Sequence, residues 1–258
     1  MGQLFKILRS SVWLLLWAVL AVQSANAQTA NAPNELYPPA DEVWDGTSYR
    51  ALVERVRDKG LPLPTLSDAT TKPIFERMVN VDNIPLRMGL NPKFAVTLRF
   101  QRLNNALDPI HKLVVLYLDE TKKGKPYATE LANLMVYEAK VAAALLEVSD
   151  PYLATLANDK RYQVHVDYLG KLKGVARQFY ASLVHGMTET SLYSKSEIQQ
   201  LIAAALAALP AYHPVLTDQD RQDITKKLAL QISKTTDQQM KKALTELHDT
   251  IKNRRIPT

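Results

Sequence analysis

Residues 126–151 read PYATELANLMVYEAKVAAALLEVSDP, and the spacing within this stretch decides the fold. Tyr127, Leu131, Leu134, Met135, Val141, Leu145 and Val148 recur at the steps that line one face of an α-helix. Pro126 stands at the start, where a first turn loses nothing by lacking an N–H. The pattern predicts one long helix over 126–149. Glu138 lies on the same apolar stripe, and a carboxylate there needs a cation or a hydrogen-bonding partner if it is buried.

Working outward, a second long helix is expected over 161–187, with Tyr168, Leu169, Leu172, Ala176, Phe179, Leu183 and Met187 along one side. It is expected to pack on the first. Gly170-x-x-x-Gly174 inside it predicts the close approach of a neighbouring backbone. Ser194 or Ser196 caps the next helix, which Pro210 and Pro214 are expected to end. Thr217-x-x-Asp220 resembles a capping box, and a last helix carries Met240, Leu244, Leu247 and Ile251. On the N-terminal side, Asn91-Pro92, Asp108-Pro109 and Asp150-Pro151 each place a side-chain acceptor before a proline, so a helix start is expected at all three. A helix from Thr47 or Ser48 to Lys59 stops at Gly60. Leu61-Pro62-Leu63-Pro64 excludes helix, and the chain re-enters it from Thr71, with a turn near Asp82 to Pro85. No stretch alternates with period two. The fold class is therefore all-α: an irregular multi-helix bundle of about seven to nine helices, forming a single domain over 47–258.

The N-terminus reads as an address. Lys6 and Arg9 form a positive n-region, Ser11 to Val22 an apolar h-region, and Ala25-Asn26-Ala27 a small-x-small cleavage pattern. A signal peptide over 1–27 is expected, with the general secretory route favoured because its n-region holds one arginine and no Arg-Arg pair. Residues 28–46 then form a leader marked by Pro33, Pro38, Pro39 and Gly46. Leu36, Tyr37, Val43 and Trp44 are the leader residues able to lie along a groove on the body. Tyr37 and Trp44 are its candidate partner-binding residues.

Loss of Lys6 and Arg9 lowers the formal charge from +6 to +4, a modest balance that gives no reason to expect a nucleic-acid partner. The chain has no cysteine, which excludes disulfides, thiolate nucleophiles, cysteine-ligated metal and a lipid anchor on an N-terminal cysteine. The expected compartment is the periplasm, with secretion as the alternative, and no membrane span after cleavage.

Chemistry-bearing residues are sparse. None of the five histidines shows the i, i+4 spacing of a zinc protease helix, and eight glycines leave no phosphate-cradling loop. No metal, cofactor or catalytic residue is assigned. Three residues are candidates for ligand binding: Glu138, His165 on the face of Tyr168, Leu169 and Leu172, and Arg177. Arg99, Arg102 and Arg177 are the cations considered as partners for Glu138.

These features favour an exported, non-catalytic helical protein that binds another envelope protein as an accessory factor, inhibitor or immunity-like partner. One alternative is a helical module that holds an apolar or anionic small molecule between its long helices; another is a hydrolase or lyase with a site assembled from distant helices. Intact-mass measurement on exported protein is expected to find the first 27 residues gone. A product that retains them would overturn both the compartment and the charge balance.

Overall fold

The computed structural model describes residues 37–124, 126–188 and 192–253; the expected signal peptide and residues 28–36 of the leader lie outside them. Nine α-helices and no strand occur among the described residues: α1 Gly46–Lys59, α2 Lys72–Met78, α3 Ile84–Gly89, α4 Val96–Lys122, α5 Ala128–Ala154, α6 Tyr162–Thr188, α7 Lys195–Tyr212, α8 Asp218–Lys234 and α9 Gln238–Lys252. The all-α reading holds.

The central element is α5. Its periodic stripe is only part of what it buries, because Ala132, Ala139, Ala142 and Ala144 are buried too. Its exposed residues, Thr129, Lys140, Glu147, Asp150, Pro151 and Ala154, fall mostly on one narrow line. Four helices cover the rest: α4 most extensively, then α7, with α3 and α6 completing the enclosure, while α8 and α9 pair with each other against α6 and α7. The expected packing of α6 on α5 is present but is secondary to the contact of α6 with α7.

Local signals set several boundaries. Gly60 ends α1 at φ 66°, in the left-handed region that favours glycine. Ser194 caps α7 in a capping box with Glu197, and Thr217 caps α8 in one with Asp220. The α1 cap is Asp45, whose carboxylate accepts from the N–H groups of Thr47 and Ser48 at 2.7 and 3.2 Å. Asn83 and Pro85 open α3, a helix of one and a half turns where a turn alone was expected.

The three Asx-Pro pairs need correction. Asn91 forms a turn, its side chain accepting from Lys93 N–H at 3.0 Å, and α4 begins only at Val96. Pro109 and Pro151 lie inside α4 and α5, and Pro210 lies inside α7. A proline within a helix costs about 3 kcal/mol, so packing on both sides must outweigh it. In α4 the buried face runs unbroken through the proline: Leu103, Ala106, Ile110, Leu113 and Tyr117. In α5 the turn beyond Pro151 brings Tyr152 flat onto Phe100, with ring centres 4.0 Å apart. Asp108 and Asp150, read as caps, instead pair with Lys112 at 2.8 Å and Lys173 at 2.7 Å.

Pro109 also explains Gly46. It has no N–H to offer the Asn105 carbonyl four residues back, and Gly46, the first residue of α1, packs against that carbonyl. A Cβ at Gly46 would lie 2.6 Å from the Asn105 oxygen, which is backbone and has little room to shift. Gly170 differs. A Cβ there meets nothing within 4 Å, and one at Gly174 meets only an Arg177 nitrogen at 3.7 Å, so the expected close backbone approach is absent.

The leader residues from Tyr37 belong to the same compact unit as the helices. Trp44 is 1% exposed, donates its indole N–H to Pro39 O at 2.7 Å and meets Tyr49 edge-on. Its backbone N–H donates to the Asn83 side chain at 3.1 Å, and the Asn83 amide donates to Arg77 O and the Tyr49 hydroxyl. Tyr49 in turn donates to Met78 O at 2.8 Å, with the Tyr137 hydroxyl of α5 2.9 Å away. This buried network joins leader, α1, the α2–α3 turn and α5. Urea denaturation of two glycine variants tests both packing readings. Gly46→Ala is expected to cost about 2 kcal/mol or more, while Gly170→Ala is expected to gain about 0.5–1 kcal/mol by removing a glycine from a helix interior.

Candidate functional site

Two places in the molecule gather chemistry-bearing groups: a buried acid at the centre of α5, and a groove at its C-terminal end. Glu138 is 2% exposed. Its partner is none of the three arginines considered. The Nδ1 atom of His111, on α4, lies 2.8 Å from Glu138 Oε1. Arg99 donates to Gly89 O, Arg177 faces Asp220, and Arg102 is exposed. His111 keeps 17% of its side-chain surface, so the pair runs from solvent edge to core.

Burial pushes the Glu138 carboxyl above its ordinary value, and the charge and hydrogen bond of His111 pull it only part of the way back. For His111, burial pulls the imidazole down, but the Glu138 charge and hydrogen bond more than reverse this and leave it above its ordinary 6.5. Glu138 Oε2 has no hydrogen-bond partner among the described residues, and neither has the Tyr212 hydroxyl on α7. Tyr212 is fully buried against Tyr180, with ring centres 4.7 Å apart; burial first, and the Glu138 charge second, hold its hydroxyl well above the ordinary tyrosine range.

His165 is elsewhere. Its ring meets Tyr152 edge-on at 6.1 Å, and Tyr152 lies about 20 Å along α5 from Glu138 at the usual helical rise. The Arg177 guanidinium is 3.9 Å from Asp220 of α8. The structure therefore does not bring Glu138, His165 and Arg177 together. Of the leader residues, the Trp44 ring faces the interior, and Tyr37 is half-buried with its hydroxyl donating to Pro62 O at 3.0 Å.

Arg177 instead lines a groove of about 600 Å³. Leu146, Glu147 and Asp150 of α5 form one wall; Gly170, Lys173, Gly174 and Arg177 of α6 form the other; Pro210, Ala211, Pro214 and Val215 close the end. The two glycines deepen it by leaving out side chains that nothing in the packing excludes. Lys173 and Arg177 have carboxylate partners in Asp150 and Asp220. Glu147 is exposed and makes no ion pair among the described residues. Pro151 has no N–H to offer the Glu147 carbonyl four residues back, and Pro210 lies in the last turn of α7, whose carbonyls have no intrahelical donor. Sequence reasoning named Arg177 but missed the groove; the signal for it was two glycines in a helix with prolines four residues after Glu147 and Pro210.

Among the described residues no three metal-ligating side chains cluster, and no helix is long and apolar enough to cross a membrane. No protein family, curated protein or solved structure matches the chain.

A buried hydroxyl without a partner is a cost that phenylalanine removes. Tyr212→Phe is expected to raise stability by up to about 1 kcal/mol in urea denaturation, and a loss of stability would show that the hydroxyl is bonded in solution.

Proposed function

We propose that this chain is an exported, non-catalytic helical protein of the periplasm that binds another envelope protein, and that the groove between α5, α6 and the end of α7 is where it does so. The N-terminal charge and hydropathy pattern supports export. The observation that carries the binding reading is the groove itself: a half-polar lining in which Leu146, Ala211 and Val215 offer apolar surface, two glycines that the fold does not need, and Glu147, which makes no ion pair among the described residues. Helix-interior glycine costs about 0.5–1 kcal/mol relative to alanine, and a cost without a packing reason favours a role in binding. The occupant that suits these walls is a polypeptide segment presenting a lysine or arginine. Its aliphatic stem would lie on Leu146, Ala211 and Val215, and its cationic head would meet Glu147 at the negative C-terminal end of α7.

The reading is tested by photo-crosslinking in the exported protein from position 170, with position 242 on the outer face of α9 as control. A single adduct from 170, mapped to a basic segment of its partner and lost in Glu147→Lys and in Ala211→Leu, which narrows the closed end of the groove, is expected. Both variants are first checked by circular dichroism. Adducts from 242 alone, or an adduct indifferent to both substitutions, would sink the proposal.

A further inference from the structure

A separate inference rests on the buried pair and not on the groove. The α4–α5 contact is the most extensive between helices of the described chain, and Glu138, a buried carboxylate within it, has a single hydrogen bond among the described residues. Glu138 Oε1 is met by His111 at 2.8 Å, while Oε2 has no hydrogen-bond partner. His111, at the rim, exchanges protons with solvent; Glu138, at 2% exposure, does so only through movement of its surroundings. The other groups acting on the pair do not replace its proton. Lys112 is held by Asp108 at 2.8 Å on the same helix, Asp108 is itself negative, and Tyr212 of α7 contributes a neutral hydroxyl.

We propose that His111 and Glu138 form a proton-operated latch on the α4–α5 contact, closed while the pair holds its proton and loosened when rising pH removes it. With the imidazolium present, the carboxylate has a cation in contact. Without it, a bare charge stays in the core or the helices part enough to admit water. Both groups hold protons to higher pH in the folded chain than in the unfolded one, since both are raised from their ordinary values. The folded state therefore binds more protons than the unfolded state, and stability falls as pH rises. The His111 contribution is complete below its ordinary 6.5 and is lost as pH passes through the raised folded value.

The test uses the full exported protein. Melting temperature is followed from about pH 5.5 to about pH 9 for the wild type and Glu138→Gln, alongside amide hydrogen exchange in α4 and α5 and an NMR titration of the His111 ring. The expected results are a wild-type Tm that declines above neutrality, a Glu138→Gln Tm without that decline, exchange in α4 and α5 that rises beyond the intrinsic pH effect, and a His111 titration above its ordinary range. A flat wild-type profile, or an equal decline in Glu138→Gln, would overturn the latch. If Glu138→Gln does not fold, the wild-type titration and exchange decide: His111 titrating at or below the ordinary histidine range defeats the proposal.

Discussion

A helix enclosed on nearly every side imposes the rules that the rest of this molecule obeys. With α5 at the centre, its neighbours approach closely only where it offers small residues, and Ala132, Ala139, Ala142 and Ala144 supply them between the larger side chains. Enclosure also sets the terms for polar groups on α5. Tyr137 joins the Tyr49 and Asn83 network, Ser149 bonds its own helix, and Glu130 accepts from Leu66 N–H at 2.7 Å. Glu138 has only His111. A buried carboxylate with one oxygen unbonded thus sits in the broadest interface of the core, and the proposed latch ties the stability of that interface to a proton.

Much of the fold is legible because local chemistry decides it. The capping boxes at Ser194 and Thr217, the left-handed Gly60 and the non-helical Leu61–Pro64 segment depend on neighbours a few residues away, and each stands where the residues imply. The Asx-Pro pairs mislead because a proline at a helix start and a proline carried inside a longer helix present the same local signal. Only tertiary packing separates them, here by holding an apolar face continuous through Pro109 and setting Tyr152 on Phe100. Burial of Glu138 follows from its place on a stripe. Its partner does not, since a pairing between two helices leaves no spacing to read, and His111 lay just beyond a supposed helix boundary. Asn83 was invisible for a related reason: a polar residue in a turn looks solvated until the three partners of its side chain are seen.

The groove and the core show the same sequence features put to different ends. At Gly46 a missing side chain allows two backbones to meet, and the carbonyl left bare by Pro109 lies against it. At Gly170 and Gly174 missing side chains leave open space, and Pro210 and Pro214 line the same groove. Glycine and helix proline are costly in both places. In the first the packing of α1 on α4 offsets the cost, while in the second nothing inside the chain does.

The network around Trp44 has a consequence for the order in which this chain can acquire structure. Trp44 reaches Asn83 across 39 residues, Tyr117 holds Pro64 across 53, Glu130 holds Leu66 across 64, and Tyr49 meets Tyr137 across 88. Three of these four anchors close on the two long helices α4 and α5, each across more than fifty residues. Such closures are entropically expensive and come late relative to helix formation. A chain threaded from its N-terminus could form the contacts among residues 37–83 early, but those to Tyr117, Glu130 and Tyr137 only once α4 and α5 had followed. The early segment stays without its anchors on α4 and α5 for as long as the middle of the protein is still to come.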